Sequence, residues 1–297
     1  MRVALVGASG VLGRALIPRL IAAGAAVRSL ARSPERVPNA GSVDHEIERF
    51  DLLSADAGLR LNTLLEGCDA VVHVATAIPA DPRVLGAWDA NTRLRQEGTR
   101  TLLGSALAAG VGQYVQQSIA MAYADGGEQW LDEEAPLDNA SARAAICAPV
   151  RTMEAMVRAI PPTRLRWSIL RAGSFVGPGT AQDRVVAGLR TGREKTISGG
   201  AHYLPLVHVE DVASAFVLAI QSGIAGVVLN VNDEPIRQRD YLERLATQLG
   251  AASPSDVAGA APVSIRSSAA LVARTLGWRP ITGIWPTTYL SGPAPPP

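Results

Sequence analysis

The chain has 297 residues, 47% of them hydrophobic, and its 28 basic and 27 acidic side chains leave a formal net charge of +1. Charges so balanced and so well mixed offer no broad field for nucleic acid or an anionic membrane surface, and neither partner is expected. Two cysteines, Cys68 and Cys147, make no disulfide framework, the first residues carry no charged-then-apolar leader, and no apolar run is long enough to span a bilayer, so a cytoplasmic location is expected.

Short Val-rich runs alternate with longer segments of helical period, the pattern of βαβ units stacked into a parallel sheet. RVALVG (2–7) reads as the first strand and GRALIPRLIAAG (13–24) as a helix stopped by Gly24. AAVRSLAR (25–32) and HEIERFDL (45–52) follow as strands, NTLLEGC (62–68) as a brief helix and DAVVHVAT (69–76) as a buried strand. Residues 88–110 are helical, QYVQQSIA (113–120) is a strand, and SARAAICAPVRTMEAMVRAI (141–160) is a long helix closed by Pro161 and Pro162. RWSILRAG (166–173) and GVVLNVND (226–233) are further strands, and DYLERLATQLG (240–250) is a helix. No Gly/Ser/Pro-rich linker interrupts the middle, which favours interleaved lobes over separate domains. The expected division is a core at 1–165, a smaller substrate lobe at 166–290 interleaved with it, and a frayed Pro-rich tail at 291–297.

Between the first strand and helix lie Gly7, Gly10 and Gly13. A strand that turns tightly into a helix, admits a pyrophosphate to its backbone and packs helix on sheet favours residues without Cβ at those positions. The helix beginning near Leu12 then aims free N–H groups at the phosphates, so Gly7, Ser9, Gly10, Val11, Leu12 and Gly13 are the expected cradle. At the end of the second strand an acid would read a ribose diol, whereas an arginine would pair with a phosphate. Here Arg32 and Ser33 occupy that place, with Arg14 and Arg36 as possible helpers, so NADP(H) is expected over NAD; a solvated loop charge is the plain alternative for Arg36.

In order, VGASGVLG, FDLLSAD, CDAVVHVATAIP, EGTRTLLGSALAAGV, YVQQSIAMAY, ILRAGSFVGPG, LVHVEDVASA and LGWRP make the chain resemble the extended short-chain dehydrogenase/reductase family. The resemblance implies an α/β fold: a Rossmann-type doubly wound parallel sheet with a smaller interleaved C-terminal substrate lobe. It further implies cofactor contacts from Asp51, Leu52, Val74, Ala75, Thr76, Arg95, Ser118, Ala172 and Ser174, with Ser118 also polarising the reacting oxygen. The family's Tyr-x-x-x-Lys pair, its acid/base, is missing: Lys195 is the only lysine and Thr191 stands four residues before it. Aligning Glu154 with the acid that follows the family lysine puts Ile146 and Val150 at the two positions. A one-residue shift puts Cys147 and Arg151 there, where an arginine would favour a thiolate.

Other departures concern the substrate. Arg95 replaces a family Asn, with Asn91 one turn back; Ser174 and Leu204 stand where nucleotide-sugar members hold a diphosphate. A small, uncharged, largely apolar substrate is therefore expected. Tyr123 is a candidate acid or a pocket wall. Asp132, Glu133 and Glu134 are a solvated loop or a source of a general acid, and Trp88, Trp130 and Tyr203 are core or pocket residues. His208 reads as structural, and no metal-ligand spacing occurs. These residues suit a reductase delivering hydride directly, with an epimerase, dehydratase or cyclase without net redox, or a non-catalytic NADP(H) sensor, as alternatives. A homodimer through the helices at 91–110 and 141–160 is the family's habit.

Overall fold

The computed structural model describes residues 1–38, 41–79, 81 and 84–285; the expected tail and the last five residues of the expected second lobe lie outside them. The Val-rich runs form a seven-stranded parallel sheet of β1 (Arg2–Val6), β2 (Ala26–Ala31), β3 (His45–Arg49), β4 (Ala70–His73), β5 (Gln113–Ile119), β6 (Arg166–Ala172) and β7 (Val227–Val231). Their spatial order is β7-β6-β5-β4-β1-β2-β3, so the winding reverses between β1 and β4. That reversal leaves a crevice outside the strands' carboxyl ends. In register, Val6 stands beside both Leu30 and His73 at its mouth.

Both faces of the sheet are covered, which is why its strands read as near-continuous apolar runs. Along β1, Val3 and Leu5 join one core, while Ala4 and Val6 join the other. The first core packs the sheet against α1 (Val11–Ala22), α7 (Val209–Ser222) and α9 (Ala270–Leu276) through Leu16, Leu20, Phe216 and Val272. The second takes α2 (Ala57–Leu64), α4 (Thr99–Ala108) and α5 (Ala144–Arg158), through Leu61, Leu102 and Val157. The helix expected at 88–110 is interrupted. Its first piece, α3 (Asp89–Arg93), passes through a π-helical turn, Leu94–Gly98, before α4; such turns place one extra residue in a helix and re-aim its side chains.

A third apolar cluster packs α6 (Ala181–Arg190) against α8 (Gln238–Gln248) around Val186, Leu189, Leu242 and Leu245. It is joined to the core by chain order, since β6, α7, β7 and α9 all lie beyond residue 165 yet build the core. Buried Asp211 ties the C-terminal segment down: its carboxylate accepts from the backbone N–H groups of Ile281 and Thr282 and from the Thr282 hydroxyl.

Candidate active site

The glycine turn is built as tightly as its sequence suggests. Gly7 has φ +98°, and a Cβ there would lie 2.5 Å from the Ala75 nitrogen; one on Gly13 would lie 2.3 Å from the Gly7 carbonyl oxygen. α1 starts at Val11, with no side-chain cap and no acidic residue in its first turn, so its free N–H groups face the turn unneutralised. Leu12 and Gly13 are buried, Leu12 within the first core.

Beside this turn lies a cavity of about 170 Å3. It is lined by Gly7, Ser9 and Gly10 of the turn, by Val74, Ala75 and Thr76 after β4, and by Asp51 and Leu52 after β3. Arg32 and Arg36 line its outer end, both solvent-exposed, while Ser33 opens the short turn leading to Arg36. The Asp51 carboxylate accepts from the Leu53 N–H at 3.0 Å. Sequence reasoning missed Val6, Leu30, Ala31, Phe50 and Leu94 as lining residues, although each adjoins a residue it named or a strand end. A cradle that any Cβ would fill, a bare helix N-terminus and two arginines at the far end together fit a dinucleotide.

Other expected contacts sit outside the cavity lining. Ala172 is buried at the end of β6, and Ser174 opens a short strand, Ser174–Val176, its N–H bonded to the Pro205 carbonyl at 2.7 Å. Gly179 brings its loop against α1, within 3.4 Å of Arg14 as measured from a built Cβ.

Ser118 and Tyr123 are fully buried and belong to a polar layer between β5, β6, β7 and α5. The Ser118 hydroxyl donates to Glu154 Oε1 at 2.6 Å. Arg171 clasps the same carboxylate with both arms, Nε to Oε1 at 3.0 Å and Nη2 to Oε2 at 2.7 Å. Its Nη1 donates to the Tyr123 hydroxyl at 2.8 Å and to the Glu133 carbonyl at 2.9 Å. Burial opposes the Arg171 charge, but the Glu154 carboxylate wins and holds the guanidinium above its usual range. Tyr123 in turn donates to Asn230 Oδ1 at 2.8 Å, and burial pushes its phenol up to about 12. Both hydroxyl protons are thus committed inside the protein.

His73, at the end of β4, is also fully buried, and burial pulls its imidazole down to about 4 while Gln116 opposes the shift. The unfolded chain regains the ordinary 6.5, so it binds the proton first on acidification. Stability from this group is complete above the ordinary value and drains away as pH falls toward the folded one. Going from about pH 7 to about pH 5 should therefore cost about 2 kcal/mol through His73. Urea titrations at the two pH values should show that loss for the native protein and a flatter dependence for His73→Gln; equal slopes would remove His73 as the cause.

Where the resemblance puts a tyrosine and a lysine, α5 presents apolar side chains. Cys147, Val150 and Met153 cluster with Ala122, and Ile119 and Ile146 pack on them. Burial pushes the Cys147 thiol up, against the direction of an activated thiolate, and Arg151 spends its Nη1 on the Asp138 carbonyl. No proton-transfer pair arises in either register. Of the loop carboxylates, Glu133 is buried, raised by that burial, and accepts from the Asn230 N–H at 2.7 Å; Asp132 accepts from the Glu134 N–H. His208 caps α7 by accepting from the Glu210 N–H at 3.2 Å. Trp88 is half-buried before α3, while Arg266 lies over the rings of Trp130 and Tyr203. Among the described residues no cluster of metal-ligating side chains occurs, and no helix is long and apolar enough to cross a membrane.

The pattern of the NAD dependent epimerase/dehydratase family matches residues 3–231. The chain is 34% identical over 286 residues to a 3-diazoavenalumate denitrifying reductase of a Streptomyces species, covering 94% of this chain and 88% of that protein. It is 26% identical to a 2-alkyl-3-oxoalkanoate reductase of Stenotrophomonas maltophilia, covering 84% and 76%. A dTDP-glucose 4,6-dehydratase from Streptomyces venezuelae, solved with NAD and TYD bound, shares the fold with a TM-score of 0.80 at 24% identity, over 95% of this chain and 92% of that one. A human epimerase family protein solved with NADPH shares it at 0.77 and 20% identity, over 94% and 95%. With most of its length under the family pattern and a relative one-third identical from end to end, this chain belongs to the NAD dependent epimerase/dehydratase family, whose extended short-chain dehydrogenase/reductase fold it carries.

Proposed function

We propose that the chain is an NADPH-dependent reductase of a small, largely apolar, conjugated acceptor, and that it supplies no proton of its own to the hydride step. The observation that carries this reading is the apolar face of Ile119, Ile146, Cys147, Val150 and Met153. A bound NADPH supplies hydride. Gly7, Ser9, Gly10 and the first turn of α1 hold its pyrophosphate, Arg32 and Arg36 its 2′-phosphate, and Asp51, Leu52 and Val74–Thr76 its adenosine side. Ser118 and Tyr123 act here as positioning residues that fix α5 and the loop after β5. Ser174 and Leu204 speak against a nucleotide sugar, and pairing of two copies through α4 and α5 belongs to the same reading.

An acceptor that expels its own leaving group needs no protein acid. When hydride adds to a diazonium carbon, R–N2+ + H− gives R–H + N2: a C–H bond forms, the C–N pair departs with dinitrogen, and no proton is consumed. The Streptomyces relative is named for such a reduction of a diazo compound, and a diazo acceptor is the class proposed here. The protein should consume one NADPH for each dinitrogen released from a diazo ketone or arenediazonium, above the rate without protein. Product formed without net NADPH loss would point to epimerase or dehydratase chemistry instead, and NADPH binding without turnover of any acceptor to a sensor.

Arg32→Glu tests the cofactor half. It deletes a charge-assisted phosphate contact and adds a like charge, so the NADPH-to-NADH ratio of kcat/KM should fall by about tenfold or more. An unchanged ratio would remove the preference for NADPH.

A further inference from the structure

Arg95 is 3% exposed, yet its Nε and Nη2 have no hydrogen-bond partner, and its Nη1 reaches only the Met153 sulfur at 3.5 Å. A guanidinium cannot shed its charge under ordinary conditions, and a buried charge without acceptors is costly. Burial accordingly pulls Arg95 down to about 10, with the field of Glu154 opposing. Glu154 makes no hydrogen bond to it: its Oε1 accepts from Ser118 and Arg171 and its Oε2 from Arg171.

A further unpartnered atom lies beside it, since Thr99 Oγ1 follows Arg95 by one helical turn. His73 spends its Nδ1–H on Gln116 Oε1, so its unpartnered Nε2 is a lone pair and not a second donor. Buried polar atoms in folded proteins are nearly always paired, so two free guanidinium donors with an unpartnered hydroxyl one turn away mark a place for a missing acceptor. The location is specific. Leu94, next in the π-helical turn, lines the cofactor cavity, and Met153 is part of the apolar face of α5. Met153, which the guanidinium touches, is a side chain able to move, since a thioether swings easily about its bonds.

We propose that Arg95 is the oxyanion-holding residue of this protein: with Met153 swung aside, its Nε and Nη2 take the oxygen of a conjugated acceptor. Negative charge gathers on that oxygen as hydride adds to the far end of the conjugation. The hydride pair becomes a C–H bond, the π electrons move to oxygen, and the oxyanion stays against Arg95 until it leaves and takes a proton from water. With an oxygen-conjugated diazo acceptor, departure of dinitrogen leaves the same oxyanion, a phenolate or enolate. The chemical step rests on the reductase reading; the oxyanion site rests on the unpartnered donors alone.

The test uses 4-nitrophenol titrated onto the protein saturated with NADP+, read by phenolate absorbance at a pH below the free phenol's own pKa. The native protein should bind it as phenolate. Arg95→Met should bind it about tenfold or more weakly and lose the band, while Arg95→Lys should keep part of it. NADP+ affinity should stay within about twofold in both, since a tenfold loss would correspond to a lost contact of about 1.4 kcal/mol. A band retained in Arg95→Met overturns the proposal, and so does parallel loss of NADP+ binding, which would make Arg95 a cofactor contact. If Arg95→Met does not fold, Met153→Ala decides: it uncovers the guanidinium and should bind the phenolate at least as tightly, and loss of the band overturns the site. A protein that shows the band but never oxidises NADPH keeps the site and sinks the reductase reading; NADPH oxidation without the band does the reverse.

Discussion

Replacing Gly13 with alanine should cut NADPH affinity by about a hundredfold, a loss of about 2.7 kcal/mol. The reason is space alone: the new methyl would sit 2.3 Å from the Gly7 oxygen and 2.7 Å from the Ala8 Cα, both backbone atoms that cannot rotate away. Either α1 lifts from the turn or the turn opens, and in both cases the helix N-terminus loses its aim at the phosphates. Gly10→Ala should be milder, because its nearest obstacle is the Gly7 oxygen at 3.2 Å. Gly24→Ala supplies the control. Its φ of +80° makes alanine strained, but nothing lies within 4 Å, so it should cost about 1 kcal/mol of stability and leave affinity intact. Quenching titrations with NADPH, paired with urea unfolding, separate the three. An unchanged Kd in Gly13→Ala would show that the cavity beside β1 is not where the dinucleotide binds.

The glycine turn was legible because every constraint on it is local: a strand, a tight bend and a helix within a dozen residues. The parallel sheet was legible for the same reason, through runs of apolar residues and the breaks between them. The missing acid/base pair could be read from composition, since a chain with one lysine has nowhere to hide the motif. What the residues did not reveal is which groups are already spoken for. Ser118 is matched by motif, but the carboxylate that accepts its hydrogen bond lies 36 residues on, and the amide oxygen that accepts from the Tyr123 hydroxyl lies 107 residues on. Such pairings follow from packing α5 and β7 beside β5, and no period or spacing encodes them. Arg95 illustrates the converse. Its replacement of an asparagine was visible in sequence, whereas its lack of acceptors is a property of its surroundings.

Arg171→Met should destabilise the protein by about 3–5 kcal/mol, because it takes from Glu154, 3% exposed, its bidentate partner and leaves a buried carboxylate with the Ser118 hydroxyl, Arg158 at 3.8 Å and the field of Arg95, which makes no hydrogen bond to it. The same change removes the donors to the Tyr123 hydroxyl and the Glu133 carbonyl and the cation lying 5.0 Å over the Tyr123 ring. If the cost comes from an uncompensated charge, deleting the charge as well should return most of it. Arg171→Met with Glu154→Leu should therefore be more stable than Arg171→Met alone, although it has lost one more native side chain. Ser118→Ala, which removes one hydrogen bond to a charged acceptor, should cost less, about 1.5–3 kcal/mol. Urea unfolding of the four proteins measures all of this, and a single variant within about 1 kcal/mol of the native protein would deny the ion pair its role. The functional consequence follows from geometry. Glu154 is one turn along α5 from Val150 and adjoins Met153, so a helix released from Arg171 moves the apolar face with it. Turnover should then fall in Arg171→Met while NADPH affinity, set by the glycine turn at the other end of the crevice, stays close to native.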